Sequence, residues 1–262
     1  MSQRPQPPST ALPAVALRAY VSHYWLSLDN QDPSFAITPD GSVDMVLVLG
    51  GSNHQVDVYG TSTRRTELAI APACHYLGIR FKPGQSRHFL DMRASELTDS
   101  VLPAEGLLIP RVLELAESIA SQTVFTRLDA ILLAHLQRRP PQPSRIDDAL
   151  RHIEQSPRPL RVDELAELCC KSPRQFERNF LEVAGLSPKL FSDIVRFRRA
   201  CALLARADLP LAQIAVELGY TDQSHFSHAF TRFHGAPPSR ARAQDVAFLQ
   251  DVADLAEQNS GF

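Results

Sequence analysis

Cysteine is scarce in this chain. Four of 262 residues are cysteine, and none stands in the paired C-x-x-C spacing of a zinc site or a disulfide framework. Cys169 and Cys170 are adjacent, and adjacent cysteines rarely bridge each other, so the thiols predict a reducing cytoplasm. No apolar run approaches the length of a bilayer span, which predicts no membrane segment. The opening run "MSQRPQPPSTALPAV" lacks the apolar core of a secretion signal. A positive surplus is missing too. The net charge is −2, which by itself points to no polyanionic partner. The hydrophobic share of 44% and charged share of 21% are those of an ordinary globular protein, and the length suits two cores.

Charge and proline are present in informative places. Residues 145–242 hold 15 Lys/Arg against 12 Asp/Glu, a mild local excess that permits nucleic-acid binding. Proline numbers 20, and its clusters punctuate the chain. Residues 1–13 read as a flexible tail. Residues 14–105 carry strand and turn signals, as in "SVDMVLVLGG", "VDVYGTSTRR" and "HYLGIRFKPG", and predict a β-rich domain. Over 106–142 the apolar residues Val112, Leu115 and Ile119, then Leu128, Ile131, Leu132 and His135, fall at helical spacing. These predict two linker helices, packed within their domain or used for dimerisation. "RRPPQPS" then marks a boundary. Residues 143–242 are predicted helical almost throughout, and 243–262 form a second tail.

The helical half repeats itself at an offset of 50. Phe176 matches Phe226, Phe180 matches Phe230, Ser172 matches Asp222, Gly185 matches Gly235 and Pro188 matches Pro238. Ahead of each phenylalanine pair lies an apolar-alanine pair, Leu165-Ala166 and Ile214-Ala215, the second spaced one residue further away. A short helix with a small residue, a tight turn, a capped second helix and a closing glycine are the parts of a helix-turn-helix. The units fall at about 162–184 and 211–234. Ser172 and Asp222 are suited to N-caps, Pro173 to the first turn, Gln175 to completing an S-x-x-Q box, and the glycines to a left-handed stop.

With the phenylalanines inward, the outer face of the first unit shows Arg174, Glu177 and Arg178, with Leu181 also pointing out. In the second unit the outer face shows Ser224, His228 and Thr231, flanked by Ser227 and Arg232. Polar donors and acceptors near a helix N-terminus suit base edges and phosphates. The helix between the units, about 187–206, spans roughly 30 Å at 1.5 Å per residue. Successive major grooves on one face of DNA lie about 34 Å apart. One rigid helix can therefore present two recognition helices to two adjacent grooves.

"GLSPKLFSDIVRFRRACALL" followed by "LAQIAVELGYTDQSHFSHAFTRFHGAPPSRAR" resembles the signature of AraC/XylS-type transcription regulators over nearly its whole length. Position by position, the resemblance implies base contacts at Arg174, Glu177, Arg178, Gln223, Ser224, Ser227 and His228. Phosphate contacts are expected from Ser172, Arg196, Arg198, Thr231 and Arg232. Three departures stand out, one of them Arg161 where a Ser/Thr cap is common. Cys169-Cys170 occupies a turn where glycine is frequent, and His228 a position where arginine is common. More weakly, "YVSHYWLSL", "PDGSVDMVLVLGG" and "HYLGIRFKPGQSRHFL" resemble the sensor domains of a subgroup of such regulators. The resemblance implies an α+β chain, with an N-terminal β-rich cupin-like barrel and an all-α C-terminal double helix-turn-helix. It further implies double-stranded DNA as partner, and admits a small-molecule effector, contact with RNA polymerase and a homodimer.

Catalysis and metal binding are not expected. His225 and His228 are one helical turn apart, but a closed zinc site needs four ligands and the thiols are distant in sequence. His23, His54, His75 and His88 are scattered, and Cys74 and His75, adjacent on a strand, point to opposite faces. Cys169 and Cys170 read as buried thiols in a turn, and Trp25 as a core residue. No cofactor is expected. The competing reading is a small-molecule-binding or enzymatic cupin-like protein with an accessory helix-turn-helix domain.

Overall fold

The computed structural model describes residues 8–241 apart from 31–33, 51–52, 72, 105, 107, 122 and 206–208. Residues 1–7 of the expected first tail, and all of the second, lie outside the described residues. The chain divides into two compact units. The first takes in residues up to 36 with 42–61 and 67–142, and the second takes in 37–41, 62–66 and the chain from 143 onward.

In the first unit, strands β1 (Ser9–Ala11), β2 (Val21–Asn30), β4 (Val43–Gly50), β5 (Asn53–Tyr59), β7 (Cys74–Phe81) and β8 (Val101–Pro103) build an antiparallel sheet in the order β1-β2-β7-β4-β5-β8. Strands β3 (Ser34–Ile37) and β6 (Thr66–Ala69) form a separate two-stranded ladder. One expectation is corrected here. Residues 9–11 belong to the sheet rather than to a tail, because Ser9–Ala11 pair with Leu26, Trp25 and Tyr24.

Strand alternation sorts the sheet into two faces. Met45, Leu47, Leu77, Ile79 and Phe81 share a core with helix residues on one side. A register shift between Val21 and His23 is a bulge, and it brings Val21 and Tyr24, three residues apart, into that same core. Short helices α1 (Ala94–Leu97) and α2 (Ile109–Leu113), and the longer α3 (Val124–Arg138), contribute Leu97, Val112, Leu128 and Leu132 to it. The first of the two expected linker helices is only partly α-helical. After α2 the chain tightens into a 3-10 stretch, Glu114–Ser118, which keeps Val112 and Leu115 on one side at a spacing of three. Asp129 on α3 accepts hydrogen bonds from the Tyr24 hydroxyl at 2.8 Å and the Ala14 amide at 2.9 Å, and burial raises the Tyr24 phenol far above its ordinary value.

Among the described residues the second unit is a bundle of six helices: α4 (Arg145–Gln155), α5 (Val162–Leu168), α6 (Pro173–Ala184), α7 (Pro188–Ala205), α8 (Leu211–Glu217) and α9 (Gln223–His234). Ser144 and Asp147 form a capping box at the start of α4. The bundle core is aromatic. Phe176 and Phe180 pack at 5.6 Å, Phe180 on Phe191 at 5.8 Å, and Phe197 on Phe230 and Phe233 at 5.3 and 5.4 Å. Helix α7 thus supplies one ring to each half of the repeat, Phe191 to α6 and Phe197 to α9.

The two turns of the repeat have the same backbone. Cys170 N–H donates to Glu167 and Lys171 N–H to Ala166; Gly219 N–H donates to Val216 and Tyr220 N–H to Ala215. The extra residue of the second unit enters only after this motif, at Thr221. The pivot residue is left-handed in both, with φ of 53° at Cys170 and 70° at Gly219. Cys170 is exposed rather than buried, which corrects the expectation for it; Cys169 is buried as expected. A side chain in this conformation costs about 1–2 kcal/mol, partly offset by the greater entropy that glycine loses on folding. Cys170→Gly is therefore expected to raise unfolding stability by about 0.5–1 kcal/mol, read as a higher urea midpoint at unchanged slope.

Candidate nucleic-acid interface

Helices α6 and α9 are positioned by the same local chemistry. The Ser172 hydroxyl accepts from Gln175 N–H at 3.4 Å, and the Asp222 carboxylate accepts from His225 N–H at 2.8 Å. Each helix closes on a left-handed glycine, Gly185 at φ 74° and Gly235 at φ 83°. Their inner stripes, Phe176 with Phe180 and Phe226 with Phe230 and Phe233, are buried, so rotation about each helix axis is fixed by the core.

The opposite faces are open to solvent. Arg174, Glu177 and Arg178 on α6, and Gln223, Ser224 and His228 on α9, are all exposed, while Ser227 is half-buried. Leu181 also points outward, 43% exposed. The three histidines of α9 do not converge. His225 sets its ring edge-on to Tyr220 at 5.3 Å, His234 is buried and stacks on Phe230 at 5.0 Å, and His228 faces solvent. Among the described residues no group of three or more His, Cys, Asp or Glu side chains could hold a metal ion.

Three of the expected phosphate contacts have other work. The Thr231 hydroxyl donates to the Ser227 carbonyl within its own helix at 2.7 Å. Arg198 pairs with Glu154 at 3.6 Å. Arg196 is largely buried, its side chain 15% exposed. Its Nε donates to the Leu218 carbonyl at 3.2 Å, and its guanidinium lies 3.8 Å over the Tyr220 ring. Ser172 and Arg232 stay exposed on the outer side.

Two residues absent from the sequence expectations matter here. Arg199 donates to the Glu154 and Ser156 carbonyls at the end of α4, and burial draws its pKa below the ordinary arginine value. Tyr220 is buried between Arg196 and the first turn of α9; burial raises its phenol, against the pull of the guanidinium. The usable signal was the i, i+3 spacing of Arg196 and Arg199, which puts both on one side of α7.

Residues 165–244 match the family described as a helix-turn-helix domain. A segment of 141 residues, 53% of this chain, is 28% identical to the arabinose operon regulatory protein of Escherichia coli strain K12, of which it covers 47%. The C-terminal domain is a helix-turn-helix domain. A segment of 102 residues, 38% of the chain, is 34% identical to an HTH-type transcriptional regulator of Haemophilus influenzae and covers 34% of it. The chain thus spans half or less of either relative. A crystal structure of an AraC-type transcriptional regulator from Chromobacterium violaceum is 29% identical, with a TM-score of 0.36, over 38% of this chain and 90% of that one. Ahead of the helix-turn-helix domain, residues 9–103 match a domain of unknown function, DUF6597. No helix among the described residues is long and apolar enough to cross a membrane.

The N-terminal sheet has a second face, unlike the aliphatic one that packs on the helices. The Arg80 guanidinium donates to Asp44 through Nη2 at 2.9 Å and Nε at 3.1 Å, and the Trp25 indole N–H donates to the same carboxylate at 3.1 Å. The Trp25 ring lies so close over Gly78 that a Cβ there would meet it at 1.9 Å. Trp25 is therefore half-buried and tied into a polar network, rather than enclosed in the aliphatic core. His75 accepts from the Asp29 amide at 3.0 Å on this strand edge, while Cys74 is buried, as alternation requires.

Proposed function

We propose that this chain is a sequence-specific DNA-binding transcription regulator that inserts α6 and α9 into adjacent major grooves of double-stranded DNA. The observation that carries this reading is the duplicated, capped helix whose apolar stripe is locked into one core while its polar face stays open. Arg174, Glu177 and Arg178 are assigned to base edges in one groove, and Gln223, Ser224, Ser227 and His228 to those in the next. Ser172, Arg232 and the N-terminal amides of both helices are assigned to phosphates. Helix α7, 18 residues long, spans about 27 Å, which suits a separation of about 34 Å between successive grooves once the recognition helices extend beyond its ends. Relatives named as transcriptional regulators support the same reading.

The N-terminal unit is assigned a regulatory role, controlled by a small-molecule effector. The aromatic and charged face formed by Trp25, Asp44 and Arg80 supports that assignment, since it offers polar recognition that the aliphatic face lacks.

Selection of bound sequences from random duplex DNA tests the proposal. Enrichment of one sequence, with affinity falling steeply as salt rises, is the expected result. Salt-insensitive or sequence-indifferent retention would count against it.

A further inference from the structure

Ridges-into-grooves packing sets helix crossing angles only as tendencies, with a scatter of about 15–20°. The two halves of the helical unit are joined more tightly than that. Arg199, one turn beyond Arg196 on α7, donates to the Glu154 and Ser156 carbonyls and so holds the C-terminus of α4. Arg196 donates to the Leu218 carbonyl and so holds the C-terminus of α8. Carbonyls at a helix C-terminus have no intrahelical donors and carry the negative end of the helix dipole, so a guanidinium is the favoured partner.

The contact reaches further on the second side. The Arg196 guanidinium stacks on Tyr220, and Tyr220 packs on His225 and Phe226 in the first turn of α9, at 5.3 and 5.5 Å. A continuous chain of contacts thus runs from α7 to the tip of a recognition helix. The first half has a looser counterpart. Arg145 on α4 reaches the Leu168 carbonyl at the end of α5 at 3.4 Å, but it is exposed. Arg196 and Arg199 on α7 are both better covered than Arg145, Arg196 with a side chain 15% exposed.

From this we infer that Arg196 and Arg199 are positioning residues that fix the separation and tilt of α6 and α9, and thereby determine which half-site spacing the protein accepts. The inference rests on the DNA-binding reading above. A planar guanidinium that donates along one edge while its face lies on a ring defines an angle as well as a distance. Lysine supplies the charge but neither the fork nor the plane.

The test uses the full chain and duplexes built from its selected sequence. One set keeps the native spacing, a second inserts or deletes about one base pair between half-sites, a rotation of about 34°, and a third carries the α6 half-site alone. The wild-type chain is expected to lose about tenfold in affinity or more for each shifted spacing. In Arg196→Ala and Arg199→Ala the ratio between native and shifted spacings falls below about threefold, while binding to the single half-site is unchanged. Arg196→Lys, which keeps the charge, is expected to lose spacing discrimination as well, and it serves where the alanine variant melts early. Variants that weaken every duplex by one common factor, or that keep the wild-type spacing ratio, overturn the inference and leave the DNA-binding reading standing. A wild-type chain that selects no sequence overturns both.

Discussion

Phe230→Ala is expected to lower the stability of the helical unit by about 3–5 kcal/mol. Phe230 is 1% exposed and touches the core on several sides. Phe197 of α7 lies at 5.3 Å, Phe226 at 6.0 Å, and His234 stacks on it at 5.0 Å. Truncation would remove one of the two ring contacts that tie α9 to α7, and the neighbouring rings are held by their own helices, so the cavity cannot easily collapse. Urea unfolding followed by circular dichroism would show the loss as a lowered midpoint. A loss below about 1 kcal/mol would mean that the site repacks, and that α9 is less firmly seated than its burial implies.

Removing both arginines of α6 should have the largest effect on binding. Arg174 and Arg178 are exposed and one turn apart on the face opposite Phe176 and Phe180, with no hydrogen bond or ion pair to described residues, so their donors are free for a partner. Each such contact to a guanine edge is worth about 1–3 kcal/mol. The double alanine variant should therefore bind its selected duplex about 30-fold to about 20,000-fold more weakly. Titration at two salt concentrations separates the roles. A base-reading arginine relaxes sequence preference at one position, whereas a phosphate-binding one lowers the salt slope by about 1 and leaves preference alone. Unchanged affinity would remove α6 from the interface.

The helical unit was largely legible in the sequence because its determinants are local. Caps, closing glycines and a phenylalanine stripe each act within one or two turns, and duplication at an offset of 50 shows which residues serve the same role twice. The misreadings are non-local or conformational. Arg196 reads as a phosphate contact and Arg199 draws no expectation, because their partners are main-chain carbonyls lying 22 to 45 residues away, which no local pattern announces. Thr231 faces outward by helical phase, yet a β-hydroxyl can turn back onto its own helix, and here it does. Cys170 hides a left-handed turn that glycine would have advertised, as Gly219 does in the second unit.

In the N-terminal unit the strands announce themselves by alternation, but strand order does not. The pairing of β1 with β2, and of β7 between β2 and β4, joins segments far apart in the chain. The bulge near Ser22 shifts the alternation by one, so Val21 and Tyr24 share a face that strict alternation would divide between two.

The most direct measurement of the central claim is a footprint of the full chain on its selected duplex at single-nucleotide resolution. Two protected patches per protomer, about 10 bp apart on one face of the helix, are the predicted result, with the patch read by α6 lost in the Arg174 and Arg178 double variant. A single patch that survives that substitution would contradict the account of two recognition helices held one groove apart.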